Sequence, residues 1–138
     1  PLNLTTKEYT KGLIQLRRAV EVFRLGQKAA IEQRMRLLTI PGQNGVQEED
    51  LVLGYELEAE NGDRYVVLVN ADRKERSFAY AAGTIPLVLV DGQRAGLQPL
   101  EHLVGVTLLD TEVRLAPLTA TVLWIRKERP LEPTPPPV

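Results

Sequence analysis

The apolar period of this chain changes once, and that change constrains its fold more than any other feature. Over residues 5–25, Tyr9, Leu13, Leu16, Val20 and Phe23 recur at helical spacing and share one narrow face. Lys7, Lys11, Arg18 and Glu21 lie round the other side, and Ile14 and Val22 stand roughly opposite the stripe. Thr5-Thr6-Lys7-Glu8 fits a capping box that starts the helix, and Gly26 is placed to end it. Residues 28–33 read as a short helical turn. From Met35 onward the period is two, the repeat of a β-strand.

Strands are expected at 35–40, 51–60, 65–69, 77–81, 85–90, 104–109, 112–116 and 118–126. In the second, Leu51, Leu53, Tyr55 and Leu57 alternate with Val52, Gly54, Glu56 and Glu58, which predicts an apolar inner face and an acidic outer one. A slip of one residue would bury Glu56 and Glu58 without partners. Asn61-Gly62 predicts a tight hairpin turn with both residues at positive φ. The returning run Tyr65-Val66-Val67-Leu68-Val69 is apolar on both faces and belongs at the centre of its sheet. Pro86 points to an edge strand or a strand's first position. With Tyr65, Val67, Val69, Leu108, Val122 and Trp124, the odd residues 51–57 are the expected core or its margin. The fold class that follows is mainly β: an antiparallel β-sandwich of about eight short strands preceded by one amphipathic α-helix.

Composition excludes several functions. Apolar residues at 43% and charged residues at 25% are ordinary for a soluble globular chain, which argues against disorder throughout. Seventeen bases against 18 acids leave no electrostatic footprint for nucleic acid or an anionic membrane. No apolar run approaches the ~20 residues of a membrane-spanning helix. Without cysteine there is no thiol catalysis and no zinc–thiolate site, and the single histidine, His102, cannot build a multi-histidine metal site. No cofactor is implied. The chain begins at Pro1 without a signal-peptide layout, as a piece of a longer protein would.

Residues 9–25, YTKGLIQLRRAVEVFRL, resemble the last barrel helix of α-amylase superfamily enzymes, through Tyr9, Lys11, Gly12, Leu13, Ile14, Leu16, Arg17, Arg18, Phe23 and Arg24. YELEAENGDRYVVLVNADRKERSF, LVLVDGQRAG and VRLAPLTATVLWI resemble the C-terminal sandwich of bacterial type I pullulanases. This resemblance implies a parent enzyme that hydrolyses α-1,6-glucosidic branch points. In that family the catalytic carboxylates precede the last barrel helix, so none is carried onto this chain. It also implies a division into a last barrel helix at 1–27, a C-terminal β-sandwich at 28–129 and a proline-rich disordered tail at 130–138. The role expected is non-catalytic: to pack on and stabilise the catalytic barrel. The alternative is an accessory α-glucan-binding module. An enzyme in its own right would need a nucleophile–base pair or a metal cluster that the sequence does not offer.

No catalytic, substrate-binding or metal-binding residue is assigned. The partner face expected is the helix stripe Tyr9, Leu13, Leu16, Val20 and Phe23, whose partner is the parent's catalytic barrel. Away from the barrel, that face would fold onto the sandwich, self-associate or stay exposed. Asp91-Gly92-Gln93-Arg94-Ala95-Gly96 offers sugar-binding side chains but reads more simply as a tight turn. Glu48-Glu49-Asp50 lacks the spacing of an EF-hand. A glucan-stacking platform would need Trp124, Tyr80 or Phe78 exposed together.

Overall fold

The computed structural model describes residues 2–39, 50–80 and 84–127. Helix α1 (Leu2–Ala19) leads into a 3-10 turn (Glu21–Arg24) and helix α2 (Lys28–Arg34). Among the described residues eight strands follow: β1 (Met35–Leu37), β2 (Val52–Glu58), β3 (Arg64–Asn70), β4 (Arg76–Ala79), β5 (Leu87–Val90), β6 (Val106–Leu108), β7 (Glu112–Leu115) and β8 (Thr119–Ile125). They form a five-stranded sheet, β1-β2-β3-β8-β5, and a three-stranded sheet, β4-β7-β6, both antiparallel. The mainly β class holds. Pro86 stands just ahead of the edge strand β5, where its missing N–H costs no ladder bond. The expected tail at 130–138, the loop 41–45 and Glu48 and Glu49 lie outside the described residues.

The molecule has three layers, because the larger sheet is covered on both sides. On one side α1 and the 3-10 turn pack Leu16 and Val22 against Leu57, Tyr65, Leu89, Val90 and Val122. On the other, Val66, Leu68, Val88 and Leu123 meet Val106, Val113 and Leu115 of the smaller sheet. β3 lies between β2 and β8, which is why its two faces are both apolar.

Four expectations need correction. The helix starts at Leu2, so Thr5 to Glu8 lie within it rather than capping it. It also breaks at Val20, which is extended, and Gly26 is not its cap. Arg24 Nε instead donates to the carbonyl of Arg17, satisfying one of the free acceptors at the helix end. The break turns Val22 from the outer side into the core, at 4% exposure.

The connection between β2 and β3 runs over Ala59–Asp63, with only Gly62 at positive φ (90°). Ala59 N–H donates to Asp63 and Gly62 N–H to Ala59, as in a type I turn closed by a bulge. Finally, β2 presents Glu56 to the inter-sheet space and leaves Leu51 and Leu53 exposed. The alternation is as read, but both sides of this strand have neighbours.

Candidate functional site

Helix α1 is held by three contacts that the sheet and its loops prepare. Leu16 fills the helix–sheet core. Gly12 lies against the 91–96 loop so closely that a Cβ there would collide with the carbonyl oxygen of Ala95. Tyr9 donates its hydroxyl to the carbonyl of Asp91 at 3.0 Å. Burial pushes the Tyr9 phenol above its ordinary value, and the nearby Asp91 charge adds to the rise. Of the stripe Tyr9, Leu13, Leu16, Val20 and Phe23, the structure brings all but Leu13 onto the chain's own sheet. Leu13 is exposed, as is Ile14 on the outer side.

The 91–96 loop is organised from within. Asp91 is fully buried; its Oδ1 accepts from the amides of Gln93 and Arg94 at 2.8 Å each, and its Oδ2 from the amide of Val104 at 3.0 Å. Those bonds commit the carboxylate to the turn, and the Arg94 guanidinium donates to the carbonyl of His102, itself exposed. Asp63 does similar work at the other end of the sheet. It accepts from Trp124 Nε1 at 3.1 Å and from the Lys127 amide at 3.0 Å, tying the β2–β3 turn to the end of β8.

Trp124 stacks on Tyr65 with centroids 6.3 Å apart, beneath the helix layer. Phe78 and Tyr80 pack into the inter-sheet cluster instead, so these three aromatics are not brought to one face. Asp50 takes a two-pronged ion pair from Arg76, at 3.2 and 2.9 Å, and this hydrogen bonding raises the guanidinium pKa further.

A cleft of about 230 Å3 lies between the two sheets, with residues of β2, β3 and β8 on one side and of β4 on the other. Phe78, Tyr80 and Leu38 are among its walls, with Arg36, Glu56 and Arg64 beside them. Glu56 accepts from Arg64 at 3.0 Å and from Arg36, so its buried charge is compensated on both sides. Sequence reading placed Glu56 on the outer face; the basic residues opposite and diagonal to it, Arg36 and Arg64, were the available signal. Among the described residues no group of three or more His, Asp or Glu is arranged to hold a metal ion.

Asn70, unremarked in the sequence, is completely buried where the two sheets join. Its Nδ2 donates to the carbonyls of Lys74, Leu115 and Ala116, and its Oδ1 accepts from the Asp72 amide. Its signal was a polar residue ending an apolar central strand.

These contacts define a helix-fronted β-sandwich domain whose polar interior groups are engaged in holding its own loops. The chain belongs to the SpuA C-terminal family, which matches residues 34–126. It is 43% identical over 129 residues to Pullulanase A of Streptococcus pneumoniae strain D39, covering 91% of this chain. The chain spans about a tenth of that relative's length. Among solved structures, the catalytic module of the pneumococcal glycogen-degrading virulence factor SpuA superposes with a TM-score of 0.83 at 40% identity, over 91% of this chain and 18% of that one. The Group B Streptococcus pullulanase SAP gives 0.81 at 36% identity, over 89% and 16%. The resemblance to pullulanases seen in the sequence is thereby shown.

Proposed function

We propose that this chain is a non-catalytic C-terminal domain of a pullulanase-like enzyme cleaving α-1,6-glucosidic bonds, and that it packs on and stabilises the catalytic barrel. The observation that carries the reading is the recurrence of helix and sandwich together, at a TM-score of 0.83, as 18% of a solved pneumococcal catalytic module. A helix built into the sandwich core through Gly12 and Leu16, with Val22 of the 3-10 turn beside them, can transmit that stability to whatever lies on its far side. The carboxylates support the same view. Glycoside hydrolysis needs two carboxyl groups facing each other across an open cleft, whereas Glu56, Asp63 and Asp91 are buried against arginines, an indole or backbone amides.

The test is direct. Incubated with pullulan, the isolated chain should release no reducing ends above a buffer blank, and release from a preparation free of other enzymes would overturn the assignment. Placed behind a pullulanase catalytic module, the same chain should raise that module's melting temperature.

A further inference from the structure

The Asn61-Gly62 pair that the sequence marks as a turn joins two groups able to react with each other. We propose that Asn61 is a charge-switch site: its spontaneous deamidation, held back by the folded turn, puts a carboxylate against Asp63 and unhooks the β2–β3 turn from the end of β8. The switch needs no partner beyond water.

The two residues set the chemistry. The Gly62 backbone nitrogen attacks Asn61 Cγ; the new Cγ–N bond forms, the Cγ–Nδ2 bond breaks, and Nδ2 leaves as ammonia with the proton that Gly62 gives up. Water then opens the cyclic imide at either carbonyl and leaves aspartate or isoaspartate. Glycine has no Cβ to crowd the approach, and Asn61 is exposed, so water reaches it. The fold restrains both reactants. Asn61 Oδ1 accepts from the Asp63 amide at 2.9 Å and its Nδ2 donates to Asp63 Oδ2 at 3.3 Å, which fixes the side chain. The Gly62 N–H donates to the carbonyl of Ala59 at 2.9 Å, so the attacking nitrogen is occupied.

The consequence follows from what Asp63 holds. This carboxylate is buried, at 3% exposure. Its Oδ2 receives the Trp124 indole N–H as well as Asn61 Nδ2, and its Oδ1 receives the Lys127 amide. Deamidation exchanges one of those donors for a negatively charged acceptor, so two carboxylates face each other where a hydrogen bond stood. Beside a buried charge that repulsion is poorly screened. Lys127 lays its stem over Gly62, but it is exposed, and a solvated ammonium offsets little of the repulsion. Isoaspartate also routes the chain through an added methylene, for which a turn closed by the Ala59–Asp63 and Gly62–Ala59 bonds is not spaced.

The test follows Asn61 in the chain held at mildly alkaline pH, by peptide mass spectrometry that separates aspartyl from isoaspartyl products. Asn61 converts at least about tenfold more slowly in the folded chain than in the same chain unfolded in guanidinium chloride, because reaction waits on opening of the turn. An equal rate in the two, or no conversion in either, overturns the proposal. Asn61→Asp stands for the product. It lowers the denaturant midpoint of the wild-type chain and loses that effect in an Asp63→Asn background, a difference that reads the coupling itself. An unchanged midpoint, or the same loss in both backgrounds, overturns the switch. Should Asp63→Asn not fold, converted and unconverted chains are separated by charge and the emission of Trp124, the single tryptophan, is compared. A shift to longer wavelength is expected as the indole loses Asp63 and meets water; identical emission overturns the inference.

Discussion

Gly12 shows how one missing methyl group decides where a helix can lie. Mid-helix glycine ordinarily costs about 1 kcal/mol relative to alanine, and α1 accepts that cost because the Ala95 carbonyl occupies the space a Cβ would need. Gly12→Ala should therefore destabilise the chain: overpacking of about 1–3 kcal/mol outweighs the gain in propensity. A raised melting temperature would mean the helix does not sit on that loop. Tyr9, one turn before, gives a prediction in pH. Its folded pKa is raised above 10.0, first by burial, so the protonated phenol is favoured in the folded state. Its contribution is fully present below the unfolded value and is lost as pH rises through the folded one. Stability should fall above pH ~10, and less steeply in Tyr9→Phe. Equal slopes in urea melts of the two proteins at pH 9 to 11 would contradict this.

At the scale of elements, β2 shows a strand whose two ends live in different surroundings. Its alternation is regular, yet the same face is buried at Leu57 and open at Leu53, because α1 and the 3-10 turn reach only one end. Leu57→Ala should cost about 2–5 kcal/mol through the cavity it leaves. Leu53→Ala in the isolated chain should stay within about 0.5 kcal/mol. Denaturant midpoints measure both, and similar losses at the two sites would put the helix layer over the wrong end. The opposite face of β2 carries Glu56 inward, tolerated because Arg36 and Arg64 reach it from the neighbouring strands. The break at Val20 is the other decision at this scale. An unbroken helix would have left Val22 in solvent, and the 3-10 turn puts it beside Leu57 and Tyr65.

For the whole molecule, the question is whether the helix is an attachment or a layer. The resemblance to a barrel helix divides the chain at residue 27, yet Leu16 and Val22 share one cluster with Leu57, Tyr65 and Val122. Removing residues 1–27 would uncover several side chains whose burial contributes about 1.5–3 kcal/mol each. That loss is comparable with the roughly 5–15 kcal/mol of an ordinary domain. The shortened chain should therefore lose its cooperative thermal transition; a sharp transition near the full chain's would show that the sandwich stands alone.

The kinds of element and their order were legible in the sequence, because a period of 3.6 or 2 is a local property that a few residues display. So were the central position of β3, apolar on both faces, and the family, through runs of residues in a recognisable order. The sequence by itself did not decide what covers each face. Alternation reports that Leu53 and Leu57 share a side, but only the packing of α1 determines that one is buried and the other open. Asn70 and Asp91 depend on carbonyls and amides brought from distant segments, and Gly12 on a backbone 83 residues further along the chain. Local pattern specifies the element; the neighbours that give each face its chemistry arrive only with the fold.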